Sequence, residues 1–239
     1  MPKQINLIIN GKGGVGKSFF AVNFIQFLKD QGLPHRCIDA DHENSTLKRF
    51  HTEADFIHLD HPQEVDCIVN HLEKTDLIVV DCRAASSDLI IEYFNEVEFF
   101  DILRTSDALL TVICPINHES DSVEQVRLLT SAWGNRCRYV IVKNESHSKH
   151  FTLFENSATC QRLHSELQSV EIQMTRMEDW LVTSLNNHSV TASAATNHSE
   201  FTLVNRQRLR SWQRKFNLQI GLAAHFLLPT GFSKKPTDP

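Results

Sequence analysis

The chain has 239 residues, 41% of them hydrophobic, enough to bury one sizeable core in a single α/β domain. Lys and Arg total 24 against 29 Asp and Glu, a net charge of −5, which excludes a uniformly basic nucleic-acid coat but leaves room for a local basic patch. No apolar run reaches the length of a membrane span, Lys3 leads into a short strand rather than a signal peptide, and the six cysteines contain no CxxC pair. The expectation is a soluble cytoplasmic protein with reduced, buried thiols.

Strand-like and helix-like segments alternate along the chain. Gln4–Asn10 is a short apolar run ending at glycine and suits a buried strand. Ser18–Gln31 places Phe20, Phe24, Phe27 and Leu28 on one helical face, and Gly32 stops it. Arg36–Ala40 reads as a strand, Pro62–Leu72 as a helix, and the β-rich Leu77–Asp81 as a central strand. Ser87–Leu103 reads as one helix, then Ala108–Cys114 as a strand halted by Pro115. Ser120–Trp133 is helical, Arg138–Val142 a strand and Val170–Met174 the last strand. Asn186–Ser199 is small and polar and reads as a surface loop. This alternation predicts a doubly wound, mainly parallel sheet with helices on both faces, in one domain over residues 1–232. Residues 233–239, polar with two prolines, read as a flexible tail.

Gly11, Gly16, Lys17 and Ser18 satisfy G-x-x-x-x-G-K-[ST], between a strand and a helix. Glycines let backbone N–H groups converge on phosphate oxygens, and the helix N-terminus turns its positive end toward the anion. Lys17 then reaches the outer phosphates and Ser18 ligates Mg²⁺. The nucleotide-binding set is Gly11, Lys12, Gly13, Gly14, Val15, Gly16, Lys17, Ser18 and Phe19.

The run from Lys12 to Ser18, KGGVGKS, resembles the deviant phosphate loop of the ParA/MinD family of ATPases. The resemblance covers about the first 145 residues by ordered motifs. It implies ATP and Mg²⁺ as ligands, a homodimer formed on ATP binding, and Lys12 acting in trans on the partner's nucleotide. An arginine finger supplies charge in the same way and is worth roughly 10³–10⁵ in rate. Asp39 and Asp41 match the family's D-x-D pair, in which Asp39 would assist the Mg²⁺ shell and Asp41 orient the attacking water. Two residues apart on a strand end, they share a face. His42 stands where the family often has proline. The following Asn44-Ser45-Thr46 resembles the plasmid partition or TraL-type transfer subgroup, which implies plasmid partition, stability or transfer and a plasmid-encoded protein partner. Asp81, ending the apolar strand Leu77–Asp81, resembles the second Walker acid that holds Mg²⁺. Arg83 follows it, available either to an anion or to Asp81. Asn144, after the strand Arg138–Val142, matches a family asparagine that contacts the base, and a plain loop asparagine is the alternative. The expected catalytic residues are therefore Lys12, Lys17 and Asp41, and the metal residues Ser18, Asp39 and Asp81.

Arg206, Arg210 and Arg214 recur at every fourth position and form a basic stripe that could contact DNA phosphates nonspecifically, or simply be a solvated helix face. No terminal basic amphipathic helix points to a membrane. The histidine pairs His58/His61 and His147/His150 lack a metal-ligand pattern and read as solvated. Two other functions stay open: a small-molecule kinase or ATP-dependent ligase of the same fold, and a nucleotide-dependent binding module with little hydrolysis.

Overall fold

The computed structural model describes residues 2–229, so the tail expected at 233–239 lies outside the described residues. Seven strands form one parallel sheet: β1 (Lys3–Ile8), β2 (Arg36–Ala40), β3 (Asp55–Phe56), β4 (Leu77–Cys82), β5 (Ala108–Ile116), β6 (Arg138–Asn144) and β7 (Ser169–Met174). Their order across the sheet is β3-β2-β4-β1-β5-β6-β7. From β1 the chain crosses to β2 and β3 on one side, returns to β4 beside β1, and then runs outward through β5, β6 and β7 on the other, which leaves a crevice at the carboxyl ends of the central strands.

Each face of the sheet carries its own apolar layer. Ile5, Leu7 and Ile9 join Ile78, Val80, Phe94, Phe99 and Trp133 on one face. Ile8 joins Val79, Ile113, Phe20, Phe24, Trp212 and Phe216 on the other. The period-two alternation of β1 thus serves two cores at once. On the second face β1 also carries Gln4 and Asn6, fully enclosed. Their side-chain amides donate to the carbonyls of Phe226 and Leu227, which dock the short helix Ala224–Leu227 on the sheet.

Three expectations need correction. The segment read as one helix from Ser87 to Leu103 is two, Ser87–Glu96 and Phe99–Thr105, because Glu98 takes a left-handed conformation with φ 49°. Both helices keep their apolar residues at the expected period, so periodicity alone did not reveal the break. Nor does β5 stop at Pro115, which pairs in register with Val142 of β6. Ile113 offers its carbonyl to Ile9 on the β1 side, and Pro115, two residues on, faces the same side beyond the end of β1. Its missing N–H therefore costs no ladder bond. Asn10 Nδ2 donates to the Pro115 carbonyl instead, at 2.9 Å. Finally, the polar stretch Asn186–Ser199 contains the end of the helix Asp179–His188 and a short helix, Ala192–Ala195. Ala192 and Ala195 are buried against the second core, so small residues there mean close packing rather than exposure.

The six cysteines are free thiols, five of them buried and Cys67 half-buried. His51 is buried too, and its Nε2 bonds the Val22 carbonyl at 2.9 Å. Among the described residues no helix is long and apolar enough to cross a membrane.

Candidate functional site: a phosphate loop with a free buried carboxylate

Register places the site. Ile8 of β1 and Asp39 of β2 both pair with Asp81 of β4, so three strand ends meet directly below the loop 11–16. The helix Lys17–Asp30 starts immediately after it, with Gly16 at its N-cap in the left-handed region, φ 93°. A Cβ at Gly16 would stand 2.4 Å from Asn144 Nδ2, so both conformation and space require glycine there. Gly14, also at positive φ, is exposed at the tip of the loop.

Lys17 is buried and its Nζ donates to the Lys12 carbonyl at 3.0 Å. Desolvation lowers its pKa, and the charges of Asp81 and Asp41 oppose that shift. An ammonium in this position gains most from an added anion, since the loop already surrounds it with backbone.

Asp81 is completely buried and neither carboxylate oxygen has a hydrogen-bond partner. Burial pushes its carboxyl up to about 8, with the nearby Ser18 hydroxyl and Lys17 partly offsetting the shift. A buried, unpaired carboxylate is costly by itself, and a cation is the natural compensation. With Ser18 alongside, the donor set is hydroxyl plus carboxylate, all oxygen, which suits Mg²⁺. The residues present fit that ion.

The D-x-D pair is arranged differently. Asp39 Oδ1 accepts from the Asp41 N–H at 3.0 Å and Oδ2 from the Lys48 N–H at 2.8 Å. Asp41 Oδ1 accepts from the N–H groups of Glu43 and Asn44, and Oδ2 from Asn44 Nδ2. Both carboxylates therefore fold the segment 41–48 over the end of β2. Asp81 is the acid of the three whose oxygens are free.

Lys12 points away from its own loop. Its Nζ pairs with Glu119 Oε2 at 3.0 Å and Asp121 Oδ2 at 3.4 Å, at the start of the helix Ser120–Trp133. These hydrogen bonds raise its pKa, so it is held as a cation at the rim. Arg83 pairs with neither Asp81 nor the loop: its Nη2 bonds both oxygens of Asp60 at 3.0 and 3.1 Å.

Asn144 donates from Nδ2 to the Val15 carbonyl at 2.9 Å and accepts at Oδ1 from the Ser146 N–H. It braces the phosphate loop and simultaneously borders a cavity of about 360 Å³ with Phe19, Thr175, Arg176 and Met177. That cavity lies beside Gly14 and Gly16. Thr175, Arg176 and Met177 carried no motif in the sequence; the fact that they follow β7 at its carboxyl end was the available signal.

Arg206, Arg210 and Arg214 lie along the helix Leu203–Leu222, whose inner face buries Leu209, Trp212, Phe216 and Ile220. Arg210 and Arg214 are exposed, and Arg206 is half-buried with its Nε unpartnered.

A parallel sheet with a strand–loop–helix phosphate cradle, a buried lysine and a partnerless acid on the neighbouring strand defines a P-loop nucleotide-binding domain. The CobQ/CobB/MinD/ParA nucleotide binding domain matches residues 7–210, and the chain belongs to that family. It is similar to Protein MobD of Acidithiobacillus ferrooxidans, 25% identical over 220 residues that cover 90% of this chain and 95% of that one. A stretch of 47 residues, 20% of each chain, is 40% identical to Protein TraL of Escherichia coli. Among solved structures, the septum site-determining protein MinD of Pyrococcus horikoshii, complexed with Mg-ADP, shares the fold at TM-score 0.53 and 12% identity, over 89% of this chain and 95% of that one. The MinC:MinD complex of Aquifex aeolicus gives 0.51 and 15%, over 90% and 96%.

Proposed function

We propose that the chain is an ATP-binding and ATP-hydrolysing dimerisation switch that serves plasmid partition, stability or conjugative transfer. The observation that carries this is the buried Asp81 carboxylate, unpartnered beside Ser18 and Lys17 under a glycine loop. Mg²⁺ bound there would neutralise charge on the phosphates. Ser18 and Asp81 would hold it; Asp39, with both oxygens taken by backbone, positions the segment around it. Lys17 binds the outer phosphates, Asn144 keeps the loop in shape, and the cavity at Phe19 takes the base. Lys12 leaves Glu119 and Asp121 on dimerisation and crosses to the partner's nucleotide. The likeness to MobD along nearly the whole chain, and to TraL over a shorter stretch, supports the plasmid setting and a plasmid-encoded partner.

A second reading, nucleotide-gated binding with little turnover, has one observation in its favour. Asp41 is tied by three hydrogen bonds within its own turn, which leaves it poorly placed to orient water.

One experiment addresses both. Light scattering should find monomers with ADP and dimers with Mg²⁺ and a non-hydrolysable ATP analogue, and Lys12→Ala should stay monomeric throughout. Wild-type monomers in every nucleotide state would overturn the switch. Dimers that persist on ATP without phosphate release would decide for the second reading.

A further inference from the structure

We propose that Cys160, His164 and Glu171 form a binding site for one divalent transition-metal ion of the zinc class, separate from the nucleotide site and independent of the proposed switch. Cys160 and His164 stand four residues apart on the helix Ala158–Ser165, hence on one face. Glu171 reaches them from β7, an edge strand of the sheet. Cys160 Sγ lies 3.9 Å from His164 Nδ1 and 3.9 Å from Glu171 Oε1, and His164 Nε2 lies 2.6 Å from that same oxygen. One ligand atom from each residue falls within 4.8 Å of the others.

Those separations are close to what a metal requires. Bonds of about 2.3 Å to sulfur and 2.0–2.1 Å to nitrogen, at a tetrahedral angle, put the two atoms about 3.5 Å apart. Closing from 3.9 Å takes a small rotation of two side chains, and the imidazole has only to turn one nitrogen toward the centre. Three protein ligands leave a fourth position for water or another ligand, and the exposed His164 gives access to it.

The surroundings already orient the carboxylate. Lys143 Nζ holds the second oxygen, Glu171 Oε2, at 2.8 Å, which leaves Oε1 for the metal. The same ammonium pairs with Glu155 Oε1 at 3.0 Å. With a dication bound by the Cys160 thiolate, the charges of Glu155, Glu171, Cys160, Lys143 and the metal cancel. Binding forms a metal–sulfur bond and releases the thiol proton to solvent. Burial and the Glu171 charge keep that proton on the thiol in the metal-free protein, so affinity rises with pH. Thiolate with imidazole selects zinc, cobalt, nickel or copper over magnesium, which separates this site chemically from the all-oxygen set at Asp81. A bound ion would clip the helix Ala158–Ser165 to the edge strand. The C-x-x-x-H spacing on a helix was visible in the sequence, but its carboxylate partner was not.

The test uses the full chain, freed of metal by a chelator and without Mg²⁺, titrated with Co²⁺. One equivalent should bind with a thiolate-to-cobalt charge-transfer band and intense tetrahedral visible bands, and Zn²⁺ should bleach both. Cys160→Ser should abolish the charge-transfer band, His164→Ala should weaken binding at least about tenfold, and Cys67→Ser should behave as wild type. Absence of the band in wild type, its survival in Cys160→Ser, or unchanged affinity in His164→Ala overturns the site. His164 is exposed, so its variant decides the question even if Cys160→Ser does not fold.

Discussion

Asp81 and Gly16 carry the strongest constraints on single side chains. Asp81 has its carboxyl at about 8 in the fold against 3.8 ordinarily, so the native state holds a proton that the unfolded chain has lost across that interval. Stability must then fall as pH rises from about 4 to about 8, and level off above. His35 and His51, kept neutral by burial, act in the opposite direction, so the comparison needs a control. Asp81→Asn supplies it, being shaped like the protonated acid. In metal-free thermal melts the stability of wild type relative to Asp81→Asn should decline from pH 5 to 8. Parallel curves would mean that the carboxyl is ionised in the fold. At Gly16 the argument is steric: alanine would have to adopt φ 93° with Asn144 Nδ2 2.4 Å from its Cβ. Gly16→Ala should lower the unfolding free energy by about 1–3 kcal/mol and weaken nucleotide binding, read from denaturant midpoints and equilibrium binding. Unchanged midpoints would show that the loop relaxes freely.

At the scale of elements, β1 does more than end in the phosphate loop. Gln4 and Asn6 give it one polar stretch on the second face, where Gln4 Nε2 reaches Thr111 Oγ1 and the Phe226 carbonyl, and Asn6 Nδ2 the Leu227 carbonyl. The strand that positions the site also anchors the short helix Ala224–Leu227. Asn6→Ala leaves the Leu227 carbonyl buried without its donor, at a cost of about 1–3 kcal/mol. Hydrogen exchange should accelerate selectively over residues 224–228; uniform acceleration across the sheet would mean that the bond supports the whole fold. The segment 41–48 is built on the same logic: Asp39 and Asp41 accept from four backbone N–H groups, and Asp41 Oδ2 from the Asn44 side-chain amide.

For the whole molecule, net charge and local charge point to different surfaces. The chain is acidic, yet its long helix Leu203–Leu222 presents Arg208, Arg210, Arg214 and Lys215 to solvent. If that face contacts DNA, replacing Arg206, Arg210 and Arg214 with alanine should flatten the slope of log affinity against log salt by about 2 to 3. An unchanged slope would take the helix out of the contact surface. The dimer proposed above depends on the same scale, since Lys12 is now occupied by Glu119 and Asp121 of its own chain. Dimerisation has to exchange those two pairs for contacts across the interface, and pairs at an exposed rim are weak enough to exchange.

Much of this is legible in the sequence. The phosphate loop was readable because its chemistry is contiguous: glycines, lysine and serine between an apolar run and a helix determine their own local geometry. The parallel sheet followed from the alternation of strands and helices, and Arg36–Ala40 and Ser120–Trp133 fall on their observed bounds. The break at Glu98, the passage of β5 through Pro115 and the packed alanines at 192 and 195 were not legible, because each depends on what stands beside the chain rather than along it. The same holds for the acids. Asp39, Asp41 and Asp81 look alike in sequence, and only the folded neighbourhood satisfies the first two with backbone and Asn44 side-chain donors while leaving Asp81 buried and free. Sequence by itself determined that a phosphate cradle forms. Tertiary structure decided which carboxylate faces it, where Lys12 rests and which residues border the adjoining cavity, because hydrogen-bond saturation and burial are properties of groups brought together from distant parts of the chain.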